Sequence, residues 1–182
     1  MSEFGKLRVI VENDLELMRS WRNIPNVRAN MYTQHEITQE EHLAWWQRVN
    51  NSCENLYLMY ELNSLPAGVV YFNKIDRSSN NAAWGFYAAP NAPRGTGTKM
   101  EFLALDYAFK KLELHKLYCE VLEYNSPVIK LHGKFGFKQE GIFKQQFRCD
   151  EKYLNVYRLG ILCSEWELSR DIMESKINSL SK

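Results

Sequence analysis

Hydrophobic and polar positions follow two different periods along this chain. Where apolar residues alternate with polar ones or form short uninterrupted runs, the pattern predicts strands. Where they recur three or four residues apart, it predicts amphipathic helices. The predicted strands are residues 7–11, 56–60, 67–72, 82–88, 117–121 and 153–162. The second and third flank "NSLP", which is typical of a hairpin turn.

Helix start signals lie between these strands. Asp14 opens a helix over "LELMRSWRNI", and Pro25 ends that helix or follows its end. Thr38 and Glu41 form a capping box, because the threonine oxygen can accept the third amide while the glutamate reaches back. The helix that this box opens is "EEHLAWWQRV".

The second half of the chain alternates strands with helices. A helix follows the glycines near residue 95, another begins at Ser126, and a second capping box at 164–167 opens a C-terminal helix. This order predicts an α/β fold with a mixed, mostly antiparallel sheet flanked by helices. Without a linker or repeat, one domain over 1–182 is expected, with a core over about 7–162 and a terminal helix over 164–178.

Composition narrows the possible partners. The 182 residues carry a formal net charge of +1, so no overall field favours nucleic acid or an anionic membrane surface. No apolar run is long enough to span a membrane, and no signal peptide precedes the first strand, so a cytoplasmic protein is expected. The four cysteines and four histidines show no metal-ligand spacing, so no metal is expected.

The segment "PRGTGTKM" directly precedes a predicted helix. It lacks the ending of a P-loop, since Lys99 is followed by Met100, and it lacks the third glycine of a dinucleotide fingerprint. Glycines before a helix start still allow backbone amides to approach an anion at the positive end of the helix dipole. The alternative is a plain turn with a helix cap.

The order of several motifs is more specific than this loop alone. "RGTGT" resembles the acetyl-CoA pyrophosphate loop of the GNAT superfamily of N-acetyltransferases, "AWGFYAAP" resembles its bulged strand, and "NSPVIKLHGKFGF" resembles its next helix. The resemblance implies acetyl transfer from acetyl-CoA to an amine. The cofactor-binding residues it implies are Phe86, Tyr87, Ala88, Arg94, Gly95, Thr96, Gly97, Thr98, Lys99, Asn125 and Lys130.

Two residues are candidates for proton transfer. Glu120, near the end of its strand, is the candidate base, directly or through water, or positions the amine. Its alternative is an exposed carboxylate beside a basic residue. His132 stands where the superfamily commonly has a tyrosine, and an imidazole can protonate the departing thiolate. Its alternative is a partly buried structural histidine. Asn125 would cap the helix or bond the pantetheine arm.

The region before the first hairpin offers acceptor-binding groups. Arg22 can donate two hydrogen bonds to a phosphate, His42 is an imidazole, and Met31 and Trp45 offer flat apolar surfaces. Trp45 and Trp46 lie about 100° apart on one helix, so one can enter the core while the other faces a pocket. The alternative for both is core packing.

"WRN", "EEHLAW", "FNKID" and "WGFYA" are similar to one branch of the superfamily, the nucleotide-sugar N-acetyltransferases of pseudaminic acid biosynthesis. This resemblance implies a UDP-linked 4-amino-4,6-dideoxy sugar as acceptor. It places Arg22 and His42 on the diphosphate and Met31 and Trp45 on the uracil. Contacts to the sugar and phosphates would come from Asn73, Lys74 and Tyr87. A solvated surface residue is the alternative for Lys74.

Two other functions stay open at this point. One is a protein N-terminal acetyltransferase of the ribosomal-protein type, and the other is a non-catalytic acyl-CoA-binding module. A homodimer is also expected, because a late exposed strand over Val156–Gly160 could pair between subunits.

Overall fold

The computed structural model describes residues 4–180, which form seven strands and six α-helices. The strands are β1 (Lys6–Val9), β2 (Leu56–Leu62), β3 (Leu65–Asp76), β4 (Asn81–Ala88), β5 (Lys116–Leu122), β6 (Lys138–Cys149) and β7 (Lys152–Leu162). The helices are α1 (Leu15–Arg22), α2 (Pro25–Arg28), α3 (Gln39–Asn50), α4 (Thr96–Lys110), α5 (Ser126–Lys134) and α6 (Cys163–Leu180). The strands follow the order β1-β2-β3-β4-β5-β7-β6 in a mixed sheet.

The first of two compact units comprises residues 4–75 and Trp84–Leu103. In it, β1 pairs antiparallel with β2, and β2 pairs antiparallel with β3. The turn residues Asn63 and Ser64 have φ angles of 52° and 66°, the left-handed conformation that a two-residue hairpin of this twist requires. The predicted hairpin at "NSLP" is confirmed.

Helices α1 and α3 cover the core of this first unit. Met18 and Trp46 extend from the helices and pack with Met59 and Val69 of the sheet in one hydrophobic cluster. The capping box predicted at α3 is present: Thr38 Oγ1 accepts from the Glu41 amide at 3.1 Å, and Glu41 Oε2 accepts from the Thr38 amide at 2.8 Å. These local bonds fix where α3 begins.

The second unit comprises Asp76–Ala83 and residues 104–180. The start of β4 pairs parallel with β5, while β5 and β6 each pair antiparallel with β7. Asp106 fastens α6 within this unit, because its carboxylate accepts from Trp166 Nε1 at 3.0 Å and from Arg170 Nη2 at 2.8 Å.

Two features of the second unit differ from what the sequence predicted. Strand β6 was not predicted, because most of its residues are exposed and carry no alternation of apolar and polar positions. The segment Val156–Gly160 is not an edge, since it pairs with β5 on one side and β6 on the other. The reason for expecting a dimer through this strand therefore fails, and a homodimer stays a prediction.

The start of α6 also differs from the predicted capping box at 164–167. The helix begins one residue earlier, at Cys163, so Ser164 lies inside its first turn. The carboxylate that completes the cap is Glu165, whose Oε2 accepts from the Leu162 amide at 2.9 Å. The helix itself confirms the predicted C-terminal helix, whereas the predicted domain bounds stay a prediction. None of the helices within residues 4–180 is long and apolar enough to cross a membrane.

Candidate active site

The glycine segment forms a turn that leads straight into α4. Gly95 has a φ of +90°, a conformation that favours glycine, and α4 begins at the next residue. Thr96 bonds back to the carbonyl of Pro93 through both its hydroxyl, at 2.7 Å, and its amide, at 3.1 Å. The residues from Thr96 to Lys99, expected in a loop, therefore form the first helical turn.

This geometry fits a diphosphate. The first amides of a helix have no acceptor within the helix, and the dipole places positive charge at the same end. Arg94 is exposed beside the turn and adds a full charge. The residues present thus suit the pyrophosphate of acetyl-CoA, which supplies an activated acetyl thioester when it is bound. The individual cofactor contacts, including those of Phe86, Tyr87 and Ala88 at the end of β4, stay predictions.

A pocket of about 420 Å³ lies within the first unit, beside α1, α3 and the hairpin strands. Six of the seven residues predicted to bind the acceptor line it, namely Arg22, Met31, His42, Trp45, Asn73 and Tyr87. Lys74 is exposed, has a φ of 51°, and does not line this pocket. The structure thus brings six predicted side chains together, while their binding roles stay predictions.

An aromatic wall runs along one side of the pocket. The rings of His42 and Trp45 stack with centroids 4.9 Å apart, Trp45 meets Tyr57 edge to face at 4.8 Å, and Tyr57 stacks on Tyr71 at 5.6 Å. Trp46 is instead buried in the core. One tryptophan of the pair faces the pocket and the other packs inside, as helical geometry predicts.

Three buried polar atoms belong to side chains that line the pocket. Arg22 Nη1, His42 Nε2 and Asn73 Oδ1 have no hydrogen-bond partner among residues 4–180. Arg22 is held by one bond, from Nη2 to the carbonyl of Thr33 at 3.2 Å. Because buried polar groups are normally paired, three such atoms at one pocket indicate a place built for a polar ligand.

Burial also changes the pKa values around the pocket. It lowers the pKa of the Arg22 guanidinium, with Tyr87 and Tyr71 opposing that shift. It lowers the pKa of His42, so the imidazole is neutral at neutral pH, and it raises the pKa of Tyr87 strongly. The pocket therefore combines one desolvated cation with neutral aromatic hydrogen-bonding groups.

The loop over one side of the pocket is tied down by Asn23 of "WRN". Its side-chain amide donates to the Ile37 carbonyl at 2.8 Å, and its side-chain oxygen accepts from the Ile37 amide at 2.8 Å. Arg19 Nη1 donates to the same carbonyl at 3.3 Å. Together these bonds hold the loop that carries Met31.

Sequence reasoning missed several lining residues. Tyr57 and Tyr71 are direct cross-strand partners, a relation that only the register of β2 and β3 establishes. His35 was given no role, yet it lines the pocket and contacts Glu41 at 3.1 Å. The available signal was the period of two that places Tyr71 and Asn73 on one face of a strand.

The two proton-transfer candidates lie in the second unit. Glu120 Oε1 accepts from Arg158 Nη1 at 3.2 Å, and the Arg158 guanidinium stands 3.4 Å above the ring of Tyr118. This ion pair matches the structural alternative for Glu120. His132 is buried on α5, 3% exposed, with its ring 5.2 Å from that of Phe137.

Asn125 occupies the N-cap position of α5. Its carbonyl accepts from the amides of Val128 and Ile129, but its side chain makes no capping bond within the described residues. Asn125 is therefore the cap residue of α5, the first of its two predicted roles, through its backbone carbonyl and not its side chain. Contact with the pantetheine arm stays a prediction. Lys130 is exposed on the same helix.

The sequence is similar to a known family of acetyltransferases and to individual members of it. The chain matches the model of the acetyltransferase (GNAT) domain over residues 7–155. It is 25% identical over 162 residues to the spermidine N(1)-acetyltransferase of Vibrio cholerae, covering 88% of this chain and 94% of that protein. It is 29% identical over 124 residues to the acetyltransferase PseH of Campylobacter jejuni, covering 68% of this chain and 76% of that protein.

The fold is also similar to that of a solved relative. A crystal structure of the spermidine N-acetyltransferase from Vibrio cholerae in complex with CoA and spermine superposes with a TM-score of 0.85. The two chains are 24% identical, and the superposition covers 91% of this chain and 99% of the other. Because the family model matches most of its length, the chain belongs to the GNAT acetyltransferase family and is an N-acetyltransferase with acetyl-CoA as donor.

Proposed function

We propose that this enzyme acetylates the 4-amino group of a UDP-linked 4-amino-4,6-dideoxy sugar, the reaction of pseudaminic acid biosynthesis. The observation that carries the proposal is the charge of the pocket in the first unit. Arg22 and Arg48 line it together with the histidines at 35 and 42. Among the described residues that line it, Glu41 is the one carboxylate.

That carboxylate already has partners. Glu41 accepts from the Thr38 amide at 2.8 Å and contacts His35 Nε2 at 3.1 Å. A polycation such as spermidine is best bound by carboxylates that need a partner, whereas a diphosphate is best bound by an arginine that needs one. The charge of the pocket therefore supports an anionic acceptor over a polyamine.

The aromatic wall supports the nucleotide part of the acceptor. In the proposal, Arg22 and His42 contact the diphosphate, while Met31 and Trp45 pack against the uracil. Tyr87 and Asn73 contact the sugar and phosphates, and Lys74, exposed next to Asn73, adds a phosphate contact from outside the pocket.

The chemistry needs a neutral amine and a proton for the departing sulfur. Glu120 is proposed to accept the amine proton or to position the amine, and His132 is proposed to hold the proton for the thiolate. Arg158 Nη1 donates to Glu120 Oε1 at 3.2 Å, a bond that orients the carboxylate. The buried position of His132 would shield that proton from bulk water.

The direct test is an acetyl-transfer assay that follows free CoA. Acetyl-CoA is mixed with the UDP-4-amino sugar, with spermidine, or with a peptide bearing a ribosomal-protein N-terminus. We expect release of CoA with the sugar at a kcat/KM about 100-fold above that with either alternative, since binding energy at the pocket favours the anionic acceptor. Absence of release with the sugar at every pH, or faster release with spermidine, would rule the proposal out.

A further inference from the structure

Tyr57 and Asn73 lie side by side on the pocket face of the hairpin. Tyr57 of β2 stands directly opposite Tyr71 of β3, and Asn73 follows Tyr71 by two residues, so it projects from the same face. Diagonal neighbours of this kind are within reach of one another in an antiparallel pair. Both side chains line the pocket.

The two side chains present different hydrogen-bonding groups to the pocket. Asn73 Oδ1 is buried and has no hydrogen-bond partner among residues 4–180. The Tyr57 hydroxyl carries one hydrogen that can be donated and an oxygen that can accept. Trp45 meets the Tyr57 ring edge to face at 4.8 Å, which restrains the position of that ring.

These groups determine what a ligand must supply. The hydrogen of the Tyr57 hydroxyl can be donated to an acceptor of the ligand. Burial raises the pKa of Tyr57, so the hydroxyl keeps that hydrogen at neutral pH. Asn73 Oδ1 is a buried acceptor without a partner among the described residues, and it requires a donor.

A phosphate oxygen cannot satisfy both groups, because it accepts hydrogen bonds and, when ionised, has no hydrogen to donate. A group with a carbonyl next to an N–H satisfies both, since the carbonyl accepts from Tyr57 and the N–H donates to Asn73.

We propose that Tyr57 and Asn73 form a donor–acceptor pair that selects an acceptor substrate by an adjacent carbonyl and N–H. This inference rests on the proposed function, and it moves Asn73 from the phosphates to an amide-like group. Two parts of a UDP-linked N-acetylated sugar carry this chemistry, the imide of uracil and the acetamido substituent.

The experiment measures dissociation constants for two matched pairs of commercially available nucleotides by calorimetry. UDP and CDP differ in the imide N–H of the base, and UDP-N-acetylglucosamine and UDP-glucose differ in the acetamido group. The wild-type chain should prefer UDP over CDP if the pair contacts the base, or UDP-N-acetylglucosamine over UDP-glucose if it contacts the sugar. A preference of about tenfold or more is expected, because the disfavoured ligand leaves a buried acceptor unpaired.

Two variants test whether that preference depends on the pair. Asn73→Leu removes the acceptor and should abolish the preference, while Tyr57→Phe removes the donor and should reduce it. Asn73→Asp keeps an acceptor oxygen and should retain the preference, even if its negative charge weakens the binding of all four nucleotides. This variant keeps the test valid if Asn73→Leu does not fold. Asn26→Leu and Tyr153→Phe, at exposed positions outside the pocket, are matched controls and should leave it unchanged.

The result that overturns the inference is a wild type without preference in either pair, or a preference that survives both Asn73→Leu and Tyr57→Phe. If the nucleotides bind but the preference is independent of the pair, the inference fails while the proposed function stands. If none of the nucleotides binds and the UDP-amino sugar is not acetylated, the proposed function fails as well.

Discussion

Arg22 and Arg158 are both partly buried, but their surroundings differ. Arg158, in the second unit, contacts Glu120 at 3.2 Å and Glu140 at 3.8 Å while its guanidinium lies over Tyr118. Lys116 extends this row of alternating charges by contacting Glu140 at 2.5 Å. Each arginine has one buried nitrogen without a hydrogen bond, but that of Arg158, Nε, lies 3.8 Å from the Glu140 carboxylate. Arg22, in the first unit, has no carboxylate within ion-pair distance among residues 4–180.

The difference separates a structural cation from one available to a ligand. A buried charge without a partner costs free energy, so a fold that keeps one does so at a site where a ligand can supply the counter-charge. Arg158 has its counter-charges within the chain, and we therefore expect its removal to affect the fold. Removal of Arg22 should affect the ligand.

The largest effect is expected from Arg22→Met on nucleotide affinity. Loss of a desolvated charge contact to the diphosphate should raise the Kd of UDP about 100-fold, equivalent to about 3 kcal/mol. Isothermal calorimetry with UDP measures it. Arg77→Met, at an exposed arginine that donates to the Leu112 carbonyl, is the control and should leave the Kd within about twofold. Equal weakening by Arg158→Met would remove the distinction between the two arginines.

The second effect is on stability: the variants Arg22→Met and Arg158→Met should change the free energy of unfolding by about 1 to 2 kcal/mol in opposite directions. Arg22→Met should raise the free energy of unfolding, because an apolar side chain replaces an unpaired desolvated cation. Arg158→Met should lower it, because Glu120 and Glu140 then lose their shared partner. Urea denaturation followed by tryptophan fluorescence gives both values, and a loss of stability in both variants would contradict the comparison.

The smallest effect is the pH dependence of stability that His42 causes. Burial, assisted by Arg19 and Arg22, lowers its pKa in the folded chain, while Glu16 and a backbone bond to Leu15 oppose the shift. The unfolded chain then takes up a proton near the ordinary value of 6.5 while the folded chain resists it. Stability should therefore fall as the pH drops below about 6.5.

The variant His42→Gln should remove that part of the acid sensitivity, whereas His115→Gln, at an exposed position, should retain it. Denaturation curves at several pH values provide the comparison. An identical loss of stability toward acid in wild type and His42→Gln would show that His42 is not desolvated.

Local sequence signals predicted the elements whose boundaries depend on neighbouring residues. The capping box of Thr38 and Glu41 and the hairpin turn at Asn63 and Ser64 are examples, because their bonds and dihedral angles involve residues close in the chain. Strand β6 was missed, because it is an exposed edge strand whose place is set by its pairing with β7.

The pocket of the first unit was predicted only in part, because some of its lining follows from local geometry and some from strand pairing. The separation of Trp45 from Trp46 follows from helical geometry, so the sequence predicted that one would face a pocket. The contribution of Tyr57 follows from strand register and from its edge-to-face contact with Trp45, which no local pattern contains. Lys74 was included by resemblance, but its positive φ and exposure place it outside the pocket.

The central claim is that the pocket of the first unit binds an anionic nucleotide and not a polyamine. Equilibrium titration of the wild-type chain with UDP and, separately, with spermidine tests it most directly, since both measurements use the same protein and neither depends on catalysis. We expect saturable binding of UDP that is lost in Arg22→Met, and binding of spermidine at least tenfold weaker. Tight binding of spermidine together with no measurable binding of UDP would contradict the claim.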